Sequence, residues 1–133
     1  MDIVIDFDGT CVTFAYPAIG REIGATPVLR ELADAGHRLI LSTIRCNEKK
    51  RNNRTLDDAL EWFRERNIPL YGIQTHPEQH FWTSSPKTYG DLYIDDAALG
   101  CPLIIPENEE RPYVDWKTVR KLLVEKGFIQ NEQ

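Results

Sequence analysis

The chain has 133 residues and a net charge of −5, and 41% of its residues are hydrophobic and 28% are charged. This length and balance are those of one folded domain, and they disfavour long disordered, collagen-like and transmembrane chains. The net acidity disfavours coating of nucleic acid or of an anionic membrane. The N-terminal segment is acidic and lacks the basic start of a secretory signal, so we expect a cytoplasmic protein with no membrane partner.

Short apolar strands alternate with amphipathic helices along the chain, a pattern typical of an α/β domain with a mostly parallel sheet. The first half of the sequence predicts a strand at 3–7, a helix that Thr26 caps and Gly36 stops, and a strand at 39–42. A second helix is predicted to begin at Thr55, where two acidic residues follow in the first turn.

The second half of the sequence predicts three more strands, at 70–74, 92–94 and 103–105. A last helix is predicted between a cap at Asp115 and a stop at Gly127. We therefore predict a three-layer α/β sandwich with five strands and with helices on both faces of the sheet.

Hydroxyl, ammonium and carboxylate side chains gather where the predicted strands begin or end. They are Asp6, Asp8, Ser42, Thr43, Lys87, Asp95 and Asp96. Each of them alone has an ordinary structural explanation, such as a capped turn or a surface lysine. Because ligands of open α/β sheets bind beyond the carboxyl ends of the strands, we expect these groups to form one site.

The motifs DFDGT, LST, a lysine and YIDD occur in this order, each at a predicted strand. In this order they resemble the haloacid dehalogenase (HAD) superfamily of aspartate-nucleophile phosphatases. The resemblance spans residues 6–96 directly, and it is greatest to small capless members whose final motif reads IDD, a feature shared with the phosphatase domain of polynucleotide kinase-phosphatases. It implies a five-stranded Rossmann-like sheet with the DFDGT strand at its centre.

The chemistry of phosphate ester cleavage suggests a role for each motif. A phosphate monoester is dianionic, so a carboxylate attacks it only when a cation such as Mg²⁺ screens the repulsion. We predict that Asp6 is the nucleophile that forms an aspartyl phosphate, and that Asp8 acts first as acid and then as base. Thr43 and Lys87 are predicted to stabilise the phosphoryl oxygens in the transition state.

A second group of residues is expected to hold the metal and the phosphate. The predicted magnesium ligands are Asp6, Asp8, Asp95 and Asp96, and the predicted phosphate contacts are Gly9, Thr10, Ser42 and Arg45. In the family pattern Asp8 binds the metal through its backbone carbonyl, and we favour Asp96 over Asp95 as the direct carboxylate ligand. Thr43 is favoured over Ser42 as the hydroxyl of the second motif, and a surface position without a role is almost as well supported for Arg45.

The spacing of the motifs leaves no room for a cap domain. Only 32 residues separate Thr10 from Thr43, and 43 separate Thr43 from Lys87, and each interval already contains a helix and a strand. We therefore predict a single capless domain over residues 1–133, with an open site.

Two loops are candidate specificity elements. Residues 45–54 carry five basic residues and one acid, a local charge of +4, and could attract a polyanion, although a solvated loop that leads into the second helix is the favoured explanation. His76, His80, Phe81 and Trp82 precede the lysine motif. They could stack on a base or sugar, but packing of Phe81 or Trp82 on the sheet edge is favoured, and a zinc site is disfavoured because a third ligand is missing.

The sequence thus predicts a Mg²⁺-dependent phosphohydrolase that cleaves a phosphomonoester. A small metabolite or a nucleotide monophosphate is favoured as substrate over a 3′-phosphorylated polynucleotide end. The alternative from another class is a phosphate-binding or phosphoacceptor module without significant turnover.

Overall fold

A parallel four-stranded sheet forms the centre of the computed structural model, which describes residues 1–108 and 110–130. In chain order the elements are β1 (Asp2–Ile5), α1 (Ala25–Asp34), β2 (Arg38–Leu41), β3 (Asn47–Glu48), β4 (Asn53–Arg54), α2 (Thr55–Glu65), β5 (Gly72–Ile73), a 3-10 helix (Gln79–Phe81), β6 (Leu92–Ile94), β7 (Leu103–Ile104), β8 (Tyr113–Val114) and α3 (Trp116–Glu125). The order in the sheet is β5-β2-β1-β6, so the strand that carries the DFDGT motif is central.

The three predicted helices are present, but the first turn of α1 is capped differently from the prediction. Thr26 lies inside α1 and does not cap it, because the Glu22 carboxylate accepts hydrogen bonds from the N–H groups of Gly24 and Thr26. Helix α2 begins at Thr55 as predicted, where the Asn53 side chain accepts from the Thr55 N–H at 2.9 Å. The predicted cap of α3 is confirmed, since Asp115 accepts from the backbone of the first turn. Among the described residues, no helix has the length and apolarity needed to cross a membrane.

The two faces of the sheet are covered by different kinds of structure. Ile3 and Ile5 of β1 belong to one buried cluster that also contains the apolar residues of all three helices. The intervening Val4 faces the other side, where Gly90 approaches it closely. That side is covered by residues 74–90, which contain a 3-10 helix as their only helical turn. Helices on both faces are therefore not confirmed.

The predicted fifth strand is absent from the main sheet in the part of the chain that is described. Instead β7 pairs antiparallel with β8, and the two form a separate small sheet. A second unpredicted pair, β3 with β4, forms from the basic stretch after the second motif. The α/β class and the parallel central sheet are confirmed, and the five-stranded three-layer arrangement is not.

A buried ionic contact fastens residues 74–90 to the sheet. The Asp2 carboxylate accepts from Arg38 Nε at 2.7 Å and from Arg38 Nη2 at 3.1 Å. His76 Nδ1 accepts from the Glu78 N–H, which leaves Nε2 as the donor to Asp2 at 2.7 Å. The hydrogen bond from Arg38 is the main reason why the pKa of Asp2 is lowered from its ordinary value of 3.8.

We expect Asp2→Asn to destabilise the protein by about 1–3 kcal/mol at pH 7, because Arg38 and His76 lose a charged, buried acceptor. The folded-state pKa of Asp2 is lowered, so this contribution is complete above pH 3.8 and is lost as the pH falls further. Urea unfolding at several pH values checks both statements.

Glu78→Gln, which alters an exposed partner of Arg38, is the control and should lower the stability by less than about 1 kcal/mol. A gap between wild type and Asp2→Asn that does not shrink as the pH falls below 3.8 would contradict this explanation.

Candidate active site

Three carboxylates meet at the carboxyl ends of two neighbouring strands, β1 and β6. Asp6 follows β1, and Asp95 and Asp96 follow β6, which pairs with β1 so that Ile5 lies opposite Ile94. Each of the three acids offers one oxygen, and these oxygens lie within 4.8 Å of one another. This group is called the acid cluster below.

The Thr10 hydroxyl sits between two members of the acid cluster. Its oxygen lies 3.0 Å from Asp6 Oδ2 and 3.2 Å from Asp96 Oδ1, and it accepts from the Asp96 N–H at 3.0 Å. The Thr10 hydroxyl has one proton, so it donates to either Asp6 or Asp96 at any one time. The carboxylate oxygen of the other residue then has no hydrogen bond from Thr10. Thr10 is fully buried, and its carbonyl accepts from the indole of Trp116. The structure therefore gives the Thr10 side chain a positioning role beside the acids, and its contact with phosphate stays a prediction.

Gly9 gives the turn room to approach Asp96. Its φ is +81°, in the left-handed region that favours glycine, and an added Cβ would lie 2.4 Å from Asp96 Oδ2. Any larger residue would therefore both strain the turn and displace a carboxylate of the acid cluster. The role of Gly9 that the structure supports is this close approach.

Burial, together with the neighbouring acids, raises the pKa of Asp6 to about 8. Burial is the largest cause, and the contact with Asp96 and the charge of Asp95 act in the same direction. A divalent cation would remove this penalty, and carboxylate oxygens are the donors that Mg²⁺ prefers. The donor set of Asp6, Asp95 and Asp96 therefore fits a hard divalent cation.

Asp8 is held away from the acid cluster by an ion pair. Arg45 Nε donates to Asp8 Oδ2 at 2.9 Å, and Arg45 Nη2 donates to Asp8 Oδ1 at 2.7 Å. The remaining guanidinium hydrogens go to the carbonyl oxygens of Pro17, Ala18 and Thr55.

Arg45 is 0% exposed and uses all five of its N–H donors in these contacts. The alternative of a surface arginine is therefore wrong. The predicted contact of Arg45 with an incoming phosphate stays a prediction, and it requires a donor that is already used in this arrangement. The carboxylate of Asp8 is likewise engaged at both oxygens, so it is not a member of the acid cluster.

A cleft of about 380 Å³ opens beside the acid cluster. Asp6, Asp95, Ser42 and Lys87 line it together, so the structure brings residues of all four motifs to one cavity. Ser42 lies beside Asp6, because the Ser42 N–H donates to the carbonyl of Ile5, the residue before Asp6.

Thr43 is not among the residues that line this cleft. The side-chain amide of Gln74 accepts from the Thr43 N–H and donates to the carbonyl oxygens of Thr43 and Arg45. The Thr43 hydroxyl accepts from the Arg45 N–H at 3.1 Å. The preference for Thr43 over Ser42 is therefore not supported by the geometry, because strand alternation directs Ser42 to the cleft.

Lys87 reaches the cleft from the loop before β6. A buried glutamine, Gln79, shapes this loop: its amide donates to the carbonyl oxygens of Ser85 and Lys87 and accepts from the Tyr89 N–H. The Lys87 ammonium lies 5.5 Å from the centre of the Tyr93 ring. It has no ion-pair partner among residues 1–108 and 110–130.

Gln74 and Gln79 were missed as site residues in the sequence. Gln74 stands at the end of a predicted strand, as the other site residues do, and this position was the available signal. Gln79 carries no comparable signal, because its three bonds depend on how the loop folds back on itself.

The basic stretch carries less free positive charge than its sequence indicates. Arg45 is paired with Asp8, Arg51 with Glu48 and Arg54 with Asp57. The remaining basic residues, Lys49 and Lys50, lie exposed between β3 and β4. This pairing weakens the case for a polyanion-binding loop.

The aromatic segment before the lysine motif is exposed. Phe81 and Trp82 are 77% and 63% exposed, so the expectation that they pack on the sheet edge is wrong. His76 is buried against Asp2 and belongs to no cluster of potential metal ligands in the described part of the chain.

A solved structure of a conserved protein from Bacteroides thetaiotaomicron is similar to this chain. The two sequences are 38% identical, the match covers 95% of this chain and 91% of that chain, and the TM-score is 0.73. No model of a known protein family matches the chain, and a search of curated proteins finds no match either.

Gly9→Ala should damage the site more than the same change at a glycine with equal backbone strain. The matched control is Gly127→Ala, since Gly127 has a φ of +82° and nothing within 4 Å of an added Cβ. We expect both variants to lose about 1 kcal/mol from strain, and Gly9→Ala to lose about 1–3 kcal/mol more. Thermal unfolding measures the difference, and equal losses in the two variants would show that the contact with Asp96 is unimportant.

The stability of the metal-free protein should depend on the proton of Asp6. Its folded-state pKa of about 8 exceeds the ordinary value of 3.8, so its contribution to stability falls as the pH rises between these values. Asp6→Asn should therefore match wild type below pH 3.8, where Asp6 is protonated in the folded and the unfolded state, and should gain on wild type by up to about 1.4 kcal/mol for each pH unit between pH 3.8 and about 8.

Millimolar Mg²⁺ should raise the melting temperature of wild type more at pH 8 than at pH 6, and should leave Asp6→Asn unchanged. Calorimetry of both proteins checks this, with Asp58→Asn on the exposed side of α2 as the control. An Asp6→Asn protein that responds to Mg²⁺ as wild type does would rule out Asp6 as a ligand.

Proposed function

We propose a function from the chemistry of the site itself. The chain belongs to one family with the conserved Bacteroides protein, and that likeness carries no activity with it. The protein is a Mg²⁺-dependent phosphomonoester hydrolase of the capless HAD type, with a Rossmann-like core. The observation that carries this proposal is the acid cluster at the edge of an open cleft that also contains a lysine without an ion-pair partner among the described residues. The four sequence motifs and the order of the strands support it.

Asp6, Asp95 and Asp96 would hold the Mg²⁺ ion, and the family pattern adds the backbone carbonyl of Asp8. The ion would supply positive charge that screens the phosphate dianion from the carboxylates. Lys87, which lines the same cleft, would bind the phosphoryl oxygens. The Ser42 hydroxyl lines this cleft too and would donate to the same oxygens.

Asp6 is the nucleophile in this proposal. Its carboxylate oxygen forms a bond to phosphorus as the ester P–O bond breaks, and the leaving oxygen takes up a proton to become an alcohol. Water then attacks the aspartyl phosphate, which releases inorganic phosphate and restores the Asp6 carboxylate. Cys11 takes no part, because it is buried behind Asp6 and burial raises the pKa of its thiol.

Asp8 is the acid and base of this scheme, and its carboxylate has to leave Arg45 to carry a proton. In the present arrangement both Asp8 oxygens accept from the guanidinium. This observation favours a second candidate function, a phosphoacceptor or phosphate-binding module. Without a free acid and base, an aspartyl phosphate on Asp6 would persist instead of turning over.

Small phosphate esters are the favoured substrates of the primary proposal. No folded cap covers the cleft in the described part of the chain, which allows large substrates, but most arginines of the basic stretch are paired with acids. A 3′-phosphorylated polynucleotide end is therefore the weaker choice of substrate.

The decisive assay is phosphate release from a broad panel of phosphate esters, with Mg²⁺ and with a chelator. We expect turnover that requires Mg²⁺ and that falls by about 10³-fold or more in Asp6→Asn. Asp58→Asn should retain wild-type turnover. Activity that survives either the chelator or Asp6→Asn would refute the mechanism.

Phosphorylation by acetyl phosphate separates the two candidate functions. A hydrolase releases many phosphates per chain, and Asp8→Asn should slow this release while leaving the phosphorylated intermediate detectable by intact mass. A phosphoacceptor module gains one phosphoryl group that persists in wild type and in Asp8→Asn alike. Absence of both turnover and phosphorylation would overturn both proposals.

A further inference from the structure

A second cavity continues the cleft away from the acid cluster. It has a volume of about 330 Å³ and shares Lys87 and Tyr93 with the cleft, so the two form one groove along the sheet. Trp82 and Tyr89 line its far part. Their rings lie 5.5 Å apart at an interplanar angle of 88°, an edge-to-face pair that forms an aromatic corner.

The aromatic corner is built on a rigid loop. Gln79 is buried, its amide holds the backbone of Lys87 and Tyr89, and its carbonyl accepts from the Trp82 N–H at 3.1 Å. The Tyr89 hydroxyl donates to Asp91 at 2.9 Å. The same residue, Gln79, therefore fixes the cation at one end of the groove and the aromatic rings at the other.

Trp82 is unusually exposed for its residue type in this protein. It is 63% exposed, whereas the other two tryptophans, Trp62 and Trp116, are 3% and 2% exposed. An exposed indole face beside a cation is a surface on which a nucleobase stacks, and such stacking tolerates any base because every base has a π-face. Sugar phosphates without a base lack the π-face that gains most from this surface.

We propose that the groove binds a nucleoside monophosphate, with its phosphate at Lys87 and the acid cluster and its base on Trp82. The proposal rests on the proposed function for the position of the phosphate. Between the two ends, the hydroxyls of Thr83 and Ser85 accept from backbone N–H groups and keep their own protons for donation to a ligand.

The test uses the phosphonate analogues of adenosine 5′-monophosphate and of ribose 5-phosphate, in which a P–C bond replaces the scissile bond. Both are titrated into the full-length protein with Mg²⁺, and tryptophan fluorescence and calorimetry follow binding. We expect the adenosine phosphonate to quench the emission and to bind at least about ten-fold more tightly than the ribose phosphonate. Because Trp62 and Trp116 are buried, quenching reports on Trp82.

Variants assign the effect to the aromatic corner. Trp82→Ala should lose about ten-fold in affinity for the adenosine phosphonate and nothing for the ribose phosphonate, and Trp82→Phe should retain most of the affinity. Phe81→Ala is the matched control, since Phe81 is a neighbouring exposed aromatic residue that does not line the groove. It should bind both ligands as wild type does.

Equal affinity for the two phosphonates, or unchanged nucleotide affinity in Trp82→Ala, would overturn the inference. Mg²⁺-dependent hydrolysis of phosphate esters without any preference for nucleotides would leave the proposed function intact and refute the inference alone. Tight nucleotide binding that depends on Trp82, in a protein that hydrolyses no ester, would refute the hydrolase and support the groove.

Discussion

The buried pair of Asp8 and Arg45 joins the parts of the chain that build the site. The guanidinium binds the second aspartate of the DFDGT motif, and its other hydrogens go to carbonyl oxygens at Pro17, Ala18 and Thr55. The turn after β1, the loop that follows it and the start of α2 therefore converge on one side chain. The buried guanidinium of Arg45 is tolerated because each of its N–H donors has an acceptor. Removal of one partner of such a buried ion pair typically lowers the stability of a protein by about 3–5 kcal/mol.

A second constraint is the charge of the acid cluster. Three carboxylates lie closer together than exposed acids would, and Thr10 and the close approach of Gly9 hold Asp96 beside Asp6. Burial and the neighbouring acids disfavour the charged form of Asp6, and its pKa is raised for this reason. A site in which the acids repel one another and a cation would relieve that repulsion has the donor set for a divalent metal ion.

The connection between β5 and β6 carries the features that complete the groove. These strands lie at opposite edges of the sheet, so the chain between them crosses the face opposite the helices. Pro77 and Pro86 interrupt a regular helix there. The crossing segment instead follows side-chain bonds from Gln79 and the contact of His76 with Asp2, and it presents a lysine and a tryptophan beside the acids. It thus supplies one wall of the cleft.

Local patterns in the sequence determined the parts of the protein that depend on neighbouring residues. Apolar runs located β1, β2 and β6, and stop residues together with the Asp115 cap located helix ends. The spacing of the motifs placed Asp6, Asp95, Asp96 and Lys87 at one sheet edge. These features follow from backbone periodicity and turn chemistry, which act over a few residues. The members of the acid cluster therefore follow from the sequence alone.

Only the tertiary structure decided the contacts between distant segments. Arg45 lies 37 residues from Asp8, and nothing in the local sequence distinguishes a buried partner of that carboxylate from a phosphate ligand. The pairing of β7 with β8, the choice of Ser42 over Thr43 at the cleft, and the exposure of Trp82 likewise depend on how separate elements pack. Such contacts are set by the whole fold, because each partner is one of many with similar local chemistry, and packing alone selects among them.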